Sequence, residues 1–360
     1  MMDPSAVLHI DLTAIATNWR ALATRAAPGA VAGVVKANAY GLGAARVAPA
    51  LYTAGCRHFF VAHLAEGMAL RETLGAGPMI AVLNGFAPGA DGDAALVPVL
   101  NSLGDVHSHA AAGRSAGRAR QTLLHLDTGM ARLGLDAGEQ ARLAADHSLL
   151  AGLDLLYVMS HLACADEPDH PLNAEQAARF GQAGAALPKL KRSFANSSGL
   201  FLGADYASDL ARPGCALYGI NPTPGAANPM RQVVRLEAPI LQIRDIPAGA
   251  SVGYGASFVA TRPSRIATIA VGYADGYLRC LSGQGVAAYR DMILPMVGRV
   301  SMDLITLDVT DAPGIALGDV LQLIGGGAPS PDELAARAGT IGYEILTSLG
   351  DRYRRAYGAA

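Results

Sequence analysis

Lysine is rare in this chain, and one of its three lysines stands where it could do covalent chemistry. Lys36 directly follows an apolar run, Val31–Val35, whereas Lys189 and Lys191 flank a turn and have the character of surface residues. Burial disfavours the ammonium form, so a lysine at the end of a buried strand can act as a neutral nucleophile that forms a Schiff base. A lysine that extends its ammonium to solvent explains the position of Lys36 equally well.

The elements that would position this lysine alternate along the first two thirds of the chain. Segments rich in Ala, Leu, Glu and Arg have helical character, and they separate short apolar runs typical of β-strands. Such alternation predicts a parallel sheet, and eight strands close a (β/α)8 barrel whose C-terminal mouth carries the chemistry. The eight runs are Val31–Val35, His58–Ala62, Met79–Leu83, Leu96–Leu100, Thr122–Asp127, Leu153–Met159, Leu190–Ala195 and Ala216–Ile220.

The composition changes near Pro229. From Arg231 to about Leu323, Val, Ile and Thr predominate, with Pro, Gly and Asp at intervals, which predicts a mainly antiparallel β domain. We therefore predict an α/β fold with an N-terminal barrel over residues 1–230 and a C-terminal β domain over residues 231–360. A first strand at about residues 6–12 could pack with either domain.

Composition and charge exclude several classes of protein. Hydrophobic residues make up 51% and charged residues 16%, which supports a large core and excludes a disordered chain. The net charge of −2 gives no sign of nucleic-acid or membrane partners. The four cysteines are too widely spaced for a zinc site, so we expect free thiols and no metal. No apolar run reaches about 18 residues, and the N-terminal segment lacks the basic region of a signal peptide, so we expect a cytoplasmic protein.

Motifs along essentially the whole chain resemble those of the alanine racemase family. The segment VVKANAYGLG around Lys36 is similar to the pyridoxal-phosphate lysine motif of that family. Further similar motifs follow in family order across both predicted domains, which makes the resemblance specific. They are LDTGMARLGL (Leu126–Leu135), SHLACADEP (Ser160–Pro168), ANSSG (Ala195–Gly199), RPGCALYG (Arg212–Gly219), VGYGASF (Val252–Phe258), VGYADGYLR (Val271–Arg279) and VGRVSMD (Val297–Asp303).

The resemblance implies an isomerase that interconverts L- and D-alanine with pyridoxal phosphate, supplying D-alanine for peptidoglycan or degrading it. It implies that Lys36 carries the cofactor as a Schiff base and is the base on the D side. The second base would be Tyr254, contributed by the partner subunit of a homodimer with shared active sites. Without the resemblance, Tyr254 would be interpreted as a tyrosine buried in the β domain.

The resemblance also assigns residues to the cofactor and the substrate. Arg212 would pair with the cofactor ring nitrogen and keep it unprotonated, because a guanidinium does not give up its proton. Arg132 and the backbone N–H of Met302 would bind the substrate carboxylate, and Tyr273 would line the access channel. The complete set implied for the cofactor is Lys36, Tyr40, His161, Asn196, Ser197, Arg212, Gly214 and Cys215.

Two positions depart from the family pattern. His125 stands where some members carry a carbamylated lysine that supports the carboxylate-binding arginine. The tyrosine that some members place near the phosphate aligns with Asp351, or with Tyr353 if the alignment slips. Alternative functions are a broader racemase that accepts serine and a cofactor-binding protein without turnover. A basic amino-acid decarboxylase is disfavoured because its glycine-rich phosphate loop is absent from the sequence.

Overall fold

The N-terminal part of the chain alternates strands and helices, as the apolar runs predict. The computed structural model describes residues 5–358. In chain order the elements are β1 (Val7–Asp11), α1 (Leu12–Ala26), β2 (Ala30–Val31), β3 (Gly33–Val34), α2 (Lys36–Tyr40), α3 (Ala44–Ala54), β4 (His58–Val61), α4 (Leu64–Leu74), β5 (Met79–Val82), β6 (Val97–Leu100), α5 (Leu103–Ser115), β7 (Arg120–His125), α6 (Ala137–Ala145), β8 (Leu153–Met159), α7 (Pro171–Ala185), β9 (Arg192–Ser193) and β10 (Leu210–Ala211).

The strands from β2 to β10 curl into a barrel. β3 to β9 form a parallel sheet in sequence order, and β10 pairs in parallel with β2, which continues into β3 after one residue. The amide of Ala32 donates to the carbonyl of Ala211 at 2.9 Å, and the amide of Arg212 donates to Ala195 at 2.8 Å, so β10 bridges both edges of the sheet. With β2 and β3 counted as one strand, the barrel has eight strands. The predicted α/β barrel is thereby confirmed.

One predicted strand is wrong. Residues Ala216–Ile220 do not form a strand, because Cys215–Tyr218 is a 3-10 helix and the eighth strand lies upstream at β10. All four residues of this 3-10 helix are buried. A short continuous apolar run indicates burial but does not separate a buried strand from a buried turn. The other seven predicted runs each overlap a strand of the barrel.

The C-terminal part is mainly antiparallel, as predicted. Its sheet pairs β11 with β14 and β18, β14 with β17, and β15 with β16, all antiparallel. Its elements are β11 (Val234–Ile246), β12 (Ser251–Val252), β13 (Phe258–Val259), β14 (Ser264–Ile269), β15 (Val286–Tyr289), β16 (Met292–Pro295), β17 (Ile305–Asp308), β18 (Val320–Ile324), α8 (Pro331–Ala338), α9 (Gly342–Ser348) and β19 (Arg354–Gly358).

The first strand belongs to this C-terminal sheet. β1 pairs antiparallel with β11 and parallel with β19, so it lies between the first and last strands of that part of the chain. Asp11, at the end of β1, caps α1 by accepting from the amide of Ala14 at 2.8 Å, which turns the chain towards the barrel. One hydrophobic core contains residues of both parts, for example Leu8, Phe59 and Leu236. The boundary at residues 230 and 231 stays a prediction.

Within residues 5–358, no helix is long and apolar enough to cross a membrane. The same described range contains no cluster of His, Cys, Asp and Glu side chains that could hold a metal ion. All four cysteines are free thiols, and Cys56 and Cys215 are buried.

Candidate active site

A cavity of about 610 Å³ opens at the C-terminal mouth of the barrel, and Lys36 lines it. This volume falls within the range of small-molecule sites. The lining brings together all of the residues predicted to bind the cofactor, together with the predicted carboxylate ligand Arg132. The lining residues that matter for the site are Lys36, Tyr40, His125, Arg132, His161, Asn196, Ser197, Arg212, Gly214, Cys215 and Tyr343.

The charges of this lining favour an anionic ligand. Arg132 and Arg212 contribute two guanidinium cations beside the Lys36 amine, and no carboxylate stands among the described residues that line the cavity. Burial, followed by repulsion from Arg132, lowers the pKa of Lys36, while Glu66 opposes the shift. The shift favours the neutral amine that a nucleophile requires.

The short element α2 is not a regular α-helix, because the backbone immediately after Lys36 is held in a left-handed turn. Ala37, Asn38, Ala39 and Tyr40 all have φ between 51° and 55°. Residues other than glycine adopt this conformation at a cost of roughly 1–2 kcal/mol each, so the surrounding structure must enforce it. Glu66 accepts from the amide of Ala37 at 2.6 Å, and the Asn38 side chain accepts from the amide of Ala44 at 2.8 Å. Such enforced strain is typical of functional sites.

One end of the cavity presents neutral hydrogen-bonding groups. The Ser197 hydroxyl accepts from the amides of Gly214 at 3.0 Å and Ala216 at 3.3 Å. Burial raises the pKa of Tyr40, so its hydroxyl stays protonated. A Cβ on Gly214 would stand 2.2 Å from that hydroxyl oxygen, so only glycine allows this approach. The Ser197 and Tyr40 hydroxyls, in a lining without a carboxylate, can donate to a phosphate group.

A buried guanidinium lies on another wall of the cavity. Arg212 is 4% exposed and donates to the Ser193 hydroxyl and to the carbonyl of Ser160, each at 2.5 Å. Its Nη2 is 3.5 Å from Nδ1 of His161. Burial lowers the pKa of Arg212 to about 10, which leaves it charged at neutral pH. Burial and the neighbouring arginines hold the pKa of His161 well below its usual range, so this imidazole is neutral.

The Arg132 loop is organised by a carboxylate that sequence reasoning missed. Asp127 accepts from the amides of Gly129 and Met130 at 2.9 Å, and both of its oxygens accept from the amide of Ala131. Across residues 5–358, the Arg132 guanidinium has no hydrogen-bond or ion-pair partner, so its donors are available to a ligand carboxylate. The motif DTGMAR contained this signal, because aspartate favours turns that accept from following amides.

His125 lies beside this loop and is hydrogen-bonded to a side-chain amide rather than to a carboxylate. Its Nδ1 is 2.8 Å from Oδ1 of Asn101. An amide oxygen only accepts, so Nδ1 carries the proton in the neutral ring and Nε2 keeps a lone pair. Burial and the positive charges of Arg212 and Arg132 lower the pKa of His125 to about 4, although Asp127 opposes them. A neutral imidazole therefore occupies this position at physiological pH.

The cavity also contains a tyrosine that sequence reasoning missed. Tyr343, at the start of α9, lines the cavity with its ring centroid 6.0 Å from that of Tyr40. Neither Asp351 nor Tyr353 lines it: the Asp351 side chain is 98% exposed beside Arg355, and Tyr353 is buried elsewhere in the β domain. Of the two alternatives for this position, an Asp351 that points away from the site agrees with this placement, whereas Tyr353 does not line the cavity.

The remaining predicted site residues lie outside this cavity, on the surface of the β domain. Tyr254 is 72% exposed, Met302 53% and Tyr273 41%. The amide of Tyr273 donates to the carbonyl of Ser301 at 3.0 Å, so the segments that carry Tyr273 and Met302 lie side by side. Tyr254 begins a 3-10 helix whose Gly255 packs against the Arg299 guanidinium. We refer to Tyr254, Tyr273 and Met302 as the β-domain cluster.

Two family descriptions match this chain over almost its whole length. Residues 10–222 match the alanine racemase N-terminal domain, and residues 233–357 match the alanine racemase C-terminal domain. The chain is 58% identical over 352 residues to an alanine racemase from Acidiphilium cryptum, covering 97% of each protein. It is 51% identical over 357 residues to a catabolic alanine racemase from Mesorhizobium japonicum, covering 98% of this chain and 93% of that protein.

Solved structures agree with the sequence relatives. Alanine racemase from Bartonella henselae, with covalently bound pyridoxal phosphate, superposes with a TM-score of 0.95 at 43% identity, covering 99% of this chain and all of that one. The fold and the lysine-containing cavity thus define a pyridoxal-phosphate-dependent isomerase built on a barrel and a β domain. The chain belongs to the alanine racemase family, which confirms the resemblance found in the motifs.

The buried His125 gives the protein an acid-sensitive stability. Its pKa is about 4 in the folded state against 6.5 ordinarily, so between these values the unfolded chain binds a proton that the folded chain refuses. This contribution to stability is complete above pH 6.5 and is lost progressively as the pH falls from 6.5 to 4. Between pH 7 and pH 5, we expect the free energy of unfolding of His125→Gln to fall by about 2 kcal/mol less than that of the wild type, measured by urea unfolding.

Glutamine keeps a partner for Asn101, so the comparison isolates the titration of the imidazole. The control is His107→Asn, which changes an exposed histidine of α5. An identical loss of stability in wild type and His125→Gln would show that His125 is protonated without penalty in the folded protein.

Proposed function

We propose that this protein racemises alanine, with pyridoxal phosphate bound at Lys36. The observation that carries the proposal is the cavity itself, which joins a lysine of lowered pKa to two arginines and contains no lining carboxylate among the described residues. A phosphorylated cofactor and an amino-acid carboxylate supply the two anions that this cavity lacks. When bound, the cofactor supplies an electron sink for the substrate α-carbon.

The cofactor fits residues that are already organised. The phosphate would be held by the donors around Ser197, Gly214 and Tyr40, where the close approach of Tyr40 to Gly214 leaves no room for a Cβ. Arg212 would donate to the ring nitrogen and keep it unprotonated, since its own proton is retained at neutral pH. The bound cofactor would then be a weaker electron sink, which would disfavour side reactions.

The close contact at Gly214 gives a test of this cofactor site. Gly214→Ala places a methyl group 2.2 Å from the Tyr40 hydroxyl oxygen, so the tyrosine ring must move. Overpacking of this kind costs typically ~1–3 kcal/mol. We expect the affinity for pyridoxal phosphate to fall by about tenfold or more, measured by absorbance titration of the apo-protein.

A matched glycine controls for the substitution itself. A Cβ on Gly314 would meet nothing within 4 Å, so Gly314→Ala is expected to leave the cofactor affinity unchanged. Unaltered affinity in Gly214→Ala would mean that Tyr40 takes no part in holding the phosphate.

Racemisation needs a proton donor and acceptor on each face of the substrate. Lys36 Nζ would remove or return the α-proton on one face. Arg132 holds the substrate carboxylate, helped by the backbone N–H of Met302, and thereby orients the α-carbon towards Lys36. Tyr254 Oη serves the opposite face. The neutral His161 accepts from Arg212 and keeps its guanidinium directed at the ring nitrogen.

The second base reaches the cavity in a homodimer with shared active sites. The exposure of the β-domain cluster and its position outside the cavity of its own chain support this arrangement. The segments of Tyr273 and Met302 adjoin, and contiguous exposed large side chains are typical of a region that another chain covers. Tyr273 lines the access channel in this arrangement. The division of the chain into a barrel and a β domain near residue 230 belongs to the same proposal.

The proposal extends to the cellular location of the protein and to its role in D-alanine metabolism. We place the protein in the cytoplasm, where D-alanine is supplied for the peptidoglycan of the cell wall or is degraded. Relatives described simply as alanine racemases and one described as catabolic are comparably similar, so similarity does not separate the two roles. Serine is the alternative substrate, since it differs from alanine by a single hydroxyl.

Chiral chromatography tests the proposed function directly. Purified protein is incubated with L-alanine and pyridoxal phosphate, and L-serine is run beside it. We expect L-alanine alone to approach an equal mixture of both enantiomers. Preferential inversion of serine would change the substrate, and no inversion of any amino acid with cofactor bound would refute the proposal.

A further inference from the structure

One guanidinium joins two of the segments that carry the β-domain cluster. Arg352 lies in the loop between α9 and β19. Its Nε is 3.1 Å from Oδ1 of Asp275, and its Nη1 is 2.8 Å from Oδ1 of Asp303. Asp275 ends the 3-10 helix that begins at Tyr273, and Asp303 directly follows Met302. A single side chain therefore connects the Tyr273 segment, the Met302 segment and the C-terminal loop.

The contact with Asp275 is not an ordinary surface ion pair. The Asp275 side chain is 6% exposed, and its second oxygen accepts from the amide of Gly272 at 2.8 Å. The carbonyl of Asp275 accepts from the amide of Gly350 at 2.9 Å, which fixes the C-terminal loop against the same turn. A buried carboxylate that loses its cation is left uncompensated, whereas exposed pairs contribute little. The Asp275 turn therefore depends on Arg352.

The same loop is also attached to the barrel. Arg355 donates from Nη2 to the carbonyls of Leu349 and Gly350 at 3.3 Å, and from Nη1 to the carbonyl of Gly41. Gly41 follows Tyr40, whose side chain lines the cavity. The C-terminal loop thus links the segments of Tyr273 and Met302 to the turn that contains Tyr40 in the same chain.

We infer that Arg352 is a positioning residue for racemisation, which holds Tyr273 and Met302 in the arrangement that the cavity of the partner subunit requires. The inference rests on the proposed function and on the shared active site. Main-chain bonds from Tyr273 to Ser301 and from Ala274 to Met302, both 3.0 Å, keep the two segments together. Arg352 then fixes the joined segments relative to the rest of the chain.

The matched pair of variants is Arg352→Gln and Arg262→Gln. Arg262 also lies in the β domain and pairs with one aspartate, Asp311, and both arginine side chains are 52% exposed. We expect Arg352→Gln to lower kcat/KM for L-alanine by about tenfold, chiefly through KM, because Met302 and Tyr273 act on substrate. The absorption of bound cofactor should stay unchanged. Arg352→Lys should recover part of the loss, because an ammonium keeps the positive charge but lacks the planar guanidinium that contacts Asp275 and Asp303 together.

Amide hydrogen exchange gives a measurement that does not depend on turnover. We expect exchange in residues 272–276 and 301–303 to accelerate by about tenfold in Arg352→Gln and to stay unchanged in Arg262→Gln. Unchanged exchange, or faster exchange with full activity, would overturn the inference. Absence of racemisation in the wild-type protein would refute the proposed function instead, while the exchange data would still decide whether Arg352 orders these segments.

Discussion

The Lys36→Ala variant is expected to lose racemisation by at least about three orders of magnitude, together with the visible absorption of bound cofactor. The substitution removes the only amine in the cavity among the described residues that line it. It also removes the base on one face of the substrate, so two functions disappear at once. Chiral chromatography and absorption spectra of the purified variant provide the two measurements.

The other lysines provide the control for this variant. Lys189 and Lys191 are exposed and lie outside the cavity that contains Lys36. Lys189→Ala is therefore expected to keep both the absorption band and the activity. A visible band that persists in Lys36→Ala, with a stoichiometry near one cofactor per chain, would contradict the Schiff-base assignment.

The Tyr254→Phe variant should separate cofactor binding from proton transfer. The substitution removes one hydroxyl from a side chain that is 72% exposed within its own chain, so we expect little change in folding. We expect the cofactor spectrum to survive and the racemisation of L-alanine to fall by about two to four orders of magnitude, as for loss of a general base. Initial rates from each enantiomer, measured separately, show which face has lost its base.

Mixed dimers of the two variants test whether the site is shared. If Tyr254 acts in the partner's cavity, a dimer of one Lys36→Ala chain and one Tyr254→Phe chain has one intact site and one doubly defective site. Random reassortment of equal amounts then restores about one quarter of wild-type activity, because half of the dimers are mixed and each mixed dimer has one intact site of its two. No recovery after demonstrated reassortment would mean that both bases come from one chain.

The sequence alone determined the barrel and the membership of the cavity to a large extent. Hydrophobic runs and their alternation are local properties, and the apolar run Leu153–Met159 coincides with the bounds of β8. Residues that directly follow parallel strands converge at one mouth of a barrel, whatever the details of packing. For this reason, the position of Lys36 directly after a predicted strand was enough to place it at that mouth, whereas Arg132 and Arg212 were assigned to the same site by the family motifs.

Tertiary structure alone decided the contacts between segments far apart in the chain. Local pattern did not reveal that β1 pairs with β11 and β19, nor that Tyr343 rather than Asp351 or Tyr353 reaches the cavity. These outcomes depend on how helices and strands pack over long sequence separations. The apolar run Ala216–Ile220 is buried, but most of it belongs to a 3-10 helix, because burial constrains side chains more than it constrains local conformation.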